Sequence, residues 1–183
     1  MQQSRLQMFH QRVMQDRPIL LTIIAIGIVL SGLYLIVLNL LFFPIISSSG
    51  TQFQSTLIIV SLTTIIISLI GSIGGIGLFL NRDWGYISVL ITITYHLAQR
   101  IFMMFQMISS PYGGFVSSTP TQRVLSVWIL VLISLLGYLI LGREVRQYRA
   151  LRAVAHGRHS LIGLTMGLCL YVLFSLLLMQ EVM

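Results

Sequence analysis

Lysine is absent from these 183 residues, and carboxylates occur at only four positions, Asp16, Asp83, Glu144 and Glu181. Charged residues of both signs make up 8% of the chain, against about 25% in a soluble domain. So sparse a supply cannot clothe a surface facing water, and the bilayer must be the main solvent. None of the four acids falls inside an apolar run, whereas proton- and cation-coupled transport usually needs intramembrane carboxylates. The single cysteine, Cys169, excludes an intrachain disulfide and a cysteine-based metal site; in its apolar run it reads as a small buried residue. There is no HExxH, no GxSxG, no Walker-type loop and no paired carboxylates, so no catalytic site is expected. Nor is any basic region interleaved with stacking aromatics outside the apolar segments, which argues against a nucleic-acid partner.

What remains is apolar. Hydrophobic residues make up 56% of the chain, and the mean hydropathy is +0.94. Five runs are long enough to cross a bilayer, giving an all-α, polytopic transmembrane helix bundle of about five spans. Residues 1–18 precede them as an amphipathic segment. Leu6, Phe9, Val13 and Met14 recur there at helical spacing, as in a helix lying on a membrane surface. The first span runs from Ile19 to Phe43, ended by Pro44 and the serines that follow. The second runs from Thr56 to Leu80, with Gly74 and Gly77 lending flexibility near its end. The third runs from Trp84 to Ile108, with Trp84 and Tyr86 as interfacial anchors. Ser109 to Gln122, rich in Pro and Gly, reads as a loop. The fourth span, Val124 to Leu141, completes a four-span bundle over 19–142. A basic helical extension into water occupies 143–159, and the fifth span lies within 160–183.

The formal charge of +7 rests on eleven arginines, and their distribution sets the orientation. Arg5, Arg12, Arg17, Arg82 and the 143–158 group alternate along the chain with loops read as uncharged. By the positive-inside rule the N-terminus and the basic segment are cytoplasmic, and the C-terminus lies outside. The expected setting is the cell membrane. Arg143, Arg146, Arg149, Arg152 and Arg158 fix this topology and offer anionic lipid or an acidic partner a docking surface.

Two patterns carry further expectations. On the second span Ser61, Thr64, Ser68, Gly71 and Gly75 form a small-residue stripe, and Gly163 and Gly167 give the fifth span GxxxG spacing. Such faces let helix backbones approach closely in lipid. The fifth helix, added to a bundle that closes without it, is expected to turn that face toward a partner. On the third span Ser88, Thr92, Tyr95, His96, Gln99, Met103 and Gln106 share one sector at about 100° per residue, with Arg100 at its edge. Lipid would not reward such a stripe, so it should face other helices or a partner protein, most simply through interhelical hydrogen bonds. His96, near mid-span, is the one candidate axial ligand, to a haem or pigment. Arg100 is costly at membrane depth by about 2.5 kcal/mol or more. It snorkels, bonds carbonyls and Gln side chains, or meets an anion from outside the chain.

Arg17-Pro18 before the first span, the exit Gly74 to Gly77, then Arg82, Asp83, Trp84 and Gly85, and Tyr138-Leu139 followed by Glu144-Val145 form a loose motif. Over about residues 17–150 the chain resembles a widespread group of small uncharacterised bacterial and archaeal membrane proteins. The resemblance implies a four-span architecture and assigns no functional residues. The expected function is that of a non-catalytic accessory or scaffold subunit of a larger membrane complex, with respiratory and photosynthetic assemblies the first hosts to consider. A haem- or pigment-binding protein using His96 and a small uncoupled transporter or channel are the alternatives.

Overall fold

The computed structural model describes residues 18–48, 54–109, 120–148 and 153–182. The amphipathic segment, apart from Pro18, and Arg149 and Arg152 thus lie outside the described residues. Six helices follow one another: α1 (Ile19–Ser48), α2 (Gln54–Phe79), α3 (Asp83–Ser109), α4 (Pro120–Leu141), α5 (Arg143–Tyr148) and α6 (Ala153–Val182). All but the short α5 are long and apolar enough to cross a membrane. The chain is a polytopic helical membrane protein, with five such helices among the described residues.

Several boundaries differ from the expected ones for local reasons. Pro44 lies inside α1 rather than ending it. Proline removes a single backbone donor, and membrane helices tolerate this where nearby groups re-satisfy the freed carbonyl. The α2–α3 turn is a Schellman motif. Asn81 adopts φ 53°, Arg82 N donates to Gly77 O at 2.8 Å, and Asn81 N donates to Leu78 O at 3.1 Å. Gly74 and Gly77 do not loosen this region. A Cβ on Gly77 would strike the Trp84 ring and the Gly85 Cα, and one on Gly74 would sit 2.8 Å from Ser88 Cβ. α4 begins at Pro120, a residue suited to a first helical turn, so Arg123 stands on the helix, one residue past the uncharged stretch Ser109 to Gln122.

The basic segment does not prolong the fourth helix into water. α4 stops at Leu141, where Gly142 N donates to Tyr138 O at 2.9 Å. A Cβ on Gly142 would strike that same carbonyl oxygen. The chain then turns into α5, whose Val145 is fully buried in the core; a straight helix would have left Val145 in water. Gly157 lies within α6 with nothing near its would-be Cβ.

The Arg82 turn, α5 and the start of α6 share one end of the bundle, here the basic end. The core lies there: Leu21 and Ala25 of α1, Leu78 of α2, Tyr86, Val89, Leu90 and Ile93 of α3, Leu136 and Leu139 of α4, and Val145. α3 is the hub, touching α2, α4 and α6, while α1 packs on α2. Coverage of the hub is uneven. Gly85, Tyr86 and Val89 to Tyr95 are buried, His96 to Arg100 are half-buried, and Ile101, Phe102, Met103 and Phe105 are exposed. Along the stripe of α1 that faces the bundle, Leu21, Ile24, Ala25 and Gly32 are buried, but Leu35, Ile36 and Asn39 are only half so. The bundle is sealed at its basic end and open at the far end.

Candidate functional site

The polar sector of α3 is divided among neighbours. Ser88 and Thr92 are spent on α2: Gly74 faces Ser88, and a Cβ on Gly71 would lie 2.9 Å from Thr92 Cγ2. Thr92 Oγ1 donates to the Ser88 carbonyl at 3.0 Å. The α2 stripe likewise serves two partners rather than one. Gly71 meets α3, whereas Gly75 lies against the Ala25 carbonyl and Val29 of α1. Ser61 Oγ donates to Asn39 Oδ1 of α1 at 3.1 Å, and Ser68 is buried with its backbone oxygen against Gly32.

Gly163 and Gly167 do not face outward. A Cβ on Gly163 would lie 2.6 Å from Leu90 Cβ, and one on Gly167 2.8 Å from the Ile91 carbonyl and Thr94 Cβ. The GxxxG face of α6 is therefore consumed by α3 within the chain, and it offers no outward docking surface. Cys169 is exposed instead of buried, because it lies on the side of α6 away from those glycines.

Farther along α3, Tyr95 is buried and meets α6, edge-on to Tyr171 at 6.0 Å and to Phe174 at 6.2 Å. His96 is edge-on to Tyr95 at 5.6 Å and hydrogen-bonds the Gln99 side chain one turn on, with Arg100 in electrostatic range. The Gln99 contact takes one ring nitrogen and leaves the other for a further hydrogen bond or a ligand. Among the described residues no group of three or more His, Cys, Asp and Glu can hold a metal ion. The Gln106 side chain lies outside the described residues.

Comparison with family models, with curated proteins and with solved structures returns no match. The site must therefore be read from its own geometry.

That geometry includes a cluster not expected from the sequence. Tyr86 is fully buried and is no interfacial anchor, and His156, within the 143–159 segment read as extending into water, is 3% exposed. Both close the C-terminus of α4. Tyr86 Oη donates to the Leu139 carbonyl at 2.9 Å. His156 Nε2 lies 3.0 Å from the Ile140 carbonyl; a carbonyl only accepts, so this nitrogen carries the proton. Arg146 Nη2 donates to the Leu141 carbonyl at 2.7 Å. Ser160 Oγ lies 2.9 Å from Tyr86 Oη and 2.9 Å from the His156 carbonyl. The last-turn carbonyls of a helix have no partners of their own and carry partial negative charge; here donors from α3, α5 and α6 satisfy them. The signal was available: Gly142 followed by an arginine marks a helix end, and a buried helix end must find donors.

Of the basic group, Arg143, Arg146 and Arg158 are exposed at this end, and Arg146 also closes the cap. The arrangement can bind helices together and present positive charge; it brings no nucleophile and base to an accessible surface.

Proposed function

We propose that this chain is a non-catalytic accessory or scaffold subunit of a larger membrane complex, set in the cell membrane with the basic end and N-terminus cytoplasmic and the C-terminus outside. The observation that carries this reading is the uneven coverage of α3. A hub helix is normally enclosed along its length, yet this one is covered only as far as Tyr95. Beyond it Phe105 is 64% exposed, and on α6 Leu177, flanking the contact with α3, is 43% exposed. Phe105 lies on the sector of α3 that meets α6, so these residues form one apolar surface at the far end, suited to a partner helix. The polar groups nearer the basic end are used in helix packing, which supports a scaffold over a substrate path. Exposed arginines at the basic end add a surface for anionic lipid or an acidic subunit.

Native gels of membranes solubilised in digitonin should show the chain in a species well above its own 20.6 kDa plus detergent. Phe105→Ala with Leu177→Ala should weaken that species about tenfold, as truncation of a buried interface anchor does. Leu30→Ala, on the exposed side of α1, should leave it intact. A species of single-chain size in wild-type membranes would sink the proposal.

A further inference from the structure

We propose that Arg100 holds the phosphate of an anionic phospholipid, seated in the open groove between α1 and α4 in the leaflet at the far end of the bundle. The inference does not depend on the docking surface above, which lies on the α6 side of α3.

The direction of Arg100 follows from its helix. Tyr86, Val89, Ile93 and Leu97 of α3 belong to one cluster with Leu136 and Leu139 of α4, and Tyr86 bonds the Leu139 carbonyl. At about 100° per residue Arg100 continues that strip toward the far end, on its α2 side. At the basic end the space above the strip is filled by Leu21 and Ala25 of α1. At the level of Arg100 Leu35 and Leu38 of α1 are only half-buried, while Asn39 is held by Ser61 of α2. The groove therefore has an apolar wall and an arginine on its floor.

The depth follows from register. Gly71 packs on Thr92 in antiparallel helices. Eight residues on from Thr92 is Arg100, and eight back from Gly71 is Thr63, next to the Ser61–Asn39 hydrogen bond. His96 and Gln99 lie within one turn. Three helices thus set a polar layer at one depth. Arg100 lies sixteen residues beyond Trp84, about 24 Å at 1.5 Å per residue. A hydrocarbon core of about 30 Å then leaves roughly 6 Å to the far boundary, within reach of an extended arginine side chain. The phosphate layer begins there.

Among the described side chains the carboxylates are Asp83 and Glu144, both at the basic end, so none of these stands at the depth of Arg100. An arginine fork suits a phosphate through two parallel hydrogen bonds, and acyl chains suit the wall below it. Arg123 gives the internal contrast. Fourteen residues on from Tyr86 is Arg100, and fourteen back from its partner Leu139 is Leu125, so Arg123 stands at nearly the same depth. It lies on the opposite side of α4 from the buried Leu125, Leu136 and Leu139, shares that outer side with exposed Val127 and Leu130, and has no groove.

The test is native mass spectrometry of the purified full chain in neutral detergent, titrated with phosphatidylglycerol or phosphatidylcholine. R143Q/R158Q is the background, to remove lipid held at the basic end. One phosphatidylglycerol should be retained in preference to phosphatidylcholine. R100Q should bind it about fivefold more weakly, the effect of one basic residue at a membrane surface. R100K should recover part of the loss, which separates lost charge from lost fold. R123Q should change retention less than twofold. Equal retention by R100Q, equal retention of phosphatidylcholine, or the same Arg100-dependent stabilisation by inorganic phosphate without lipid would each overturn the proposal. So would an R100Q variant that keeps its lipid but loses a larger complex, since Arg100 would then pair with a protein carboxylate.

Discussion

Tyr86 and Tyr171 are both tyrosines facing the inside of the bundle, at its two ends, and their hydroxyls meet opposite fates. Tyr86 Oη has an acceptor in the Leu139 carbonyl and a neighbour in Ser160. Tyr171 Oη is buried with no hydrogen-bond partner. The same contrast extends to whole regions. At the basic end the last-turn carbonyls of α4 find donors from three other helices, and apolar side chains of five helices close around them. Farther along, Arg100 and His96 share one depth with Ser61 and Thr63; the two hydroxyl residues are buried, but Arg100 and His96 are only half-covered. The comparison teaches that the fold is held from the basic end. The far end is where we propose that a lipid and a partner protein dock.

If so, the largest effect of any single change should come from the tightest approach at the basic end. Gly77→Leu places a branched side chain where the Trp84 ring and Gly85 Cα already stand. Backbone cannot move aside without unmaking the Schellman turn. Overpacking typically costs 1–3 kcal/mol and occasionally more, and with backbone as the obstacle we expect loss of monodisperse protein on size exclusion. Recovery of well-folded Gly77→Leu at wild-type yield would show that the α2–α3 turn is not the anchor.

Next comes Gly167→Leu, nearer the middle of the α3–α6 contact. It should lower the thermal midpoint by several degrees, because the Ile91 carbonyl and Thr94 Cβ crowd its Cβ position. Gly137→Leu, which meets nothing within 4 Å, is the matched control and should be tolerated. Equal midpoints for the two would mean that α6 does not rely on its small face.

The contrast between these glycines also shows what was legible in the sequence. Hydropathy alone placed five spans, because a bilayer demands long apolar runs whatever the tertiary contacts. The small-residue faces were legible as faces. Their partners were not: Gly163 and Gly167 look as suited to a foreign helix as to α3, since a lipid-exposed and a helix-packed small face share one spacing. The cap of α4 went unread for a related reason. His156 sits among arginines and so reads as a surface residue. Only the break at Gly142, with the return of Val145 to the core, brings it beneath the end of α4. Likewise the polar sector of α3 was visible as a stripe, but its division between α2 and α6, with Arg100 left half-covered, depends on tertiary contacts that no spacing records.

Tyr86→Phe tests the cap with a smaller perturbation. Removing the hydroxyl leaves the Leu139 carbonyl buried without its donor, at a cost of about 1–3 kcal/mol. Steric trapping in bicelles should detect it as a destabilisation of that size, accompanied by easier proteolysis near Gly142, because α4 loses a tie to α3. A stability unchanged within error would show that water or another donor reaches Leu139, and the basic end would not be sealed as described.

The smallest effect, and the sharpest use of the comparison, is expected from the same substitution at the other end. Tyr171→Phe deletes a hydroxyl that is already without a partner. Its ring contacts, 6.0 Å to Tyr95 and 6.2 Å to Phe102 between centroids, depend on the ring and survive in phenylalanine. A buried polar group left unpaired carries its full desolvation penalty, so its removal recovers some of that penalty. The isolated chain should therefore keep its stability or gain up to about 1 kcal/mol, in the same steric-trapping assay in which Tyr86→Phe loses stability. The outcome in native membranes separates two states of the far end. If a partner or lipid supplies an acceptor for Tyr171 Oη there, Tyr171→Phe should weaken the digitonin-stable species while leaving the purified chain unharmed. If both measurements stay flat, the hydroxyl has no acceptor in either state, and the docking surface ends short of Tyr171. A loss in the purified chain comparable to that of Tyr86→Phe would refute the asymmetry itself, because the far end would then be as fully satisfied as the basic one.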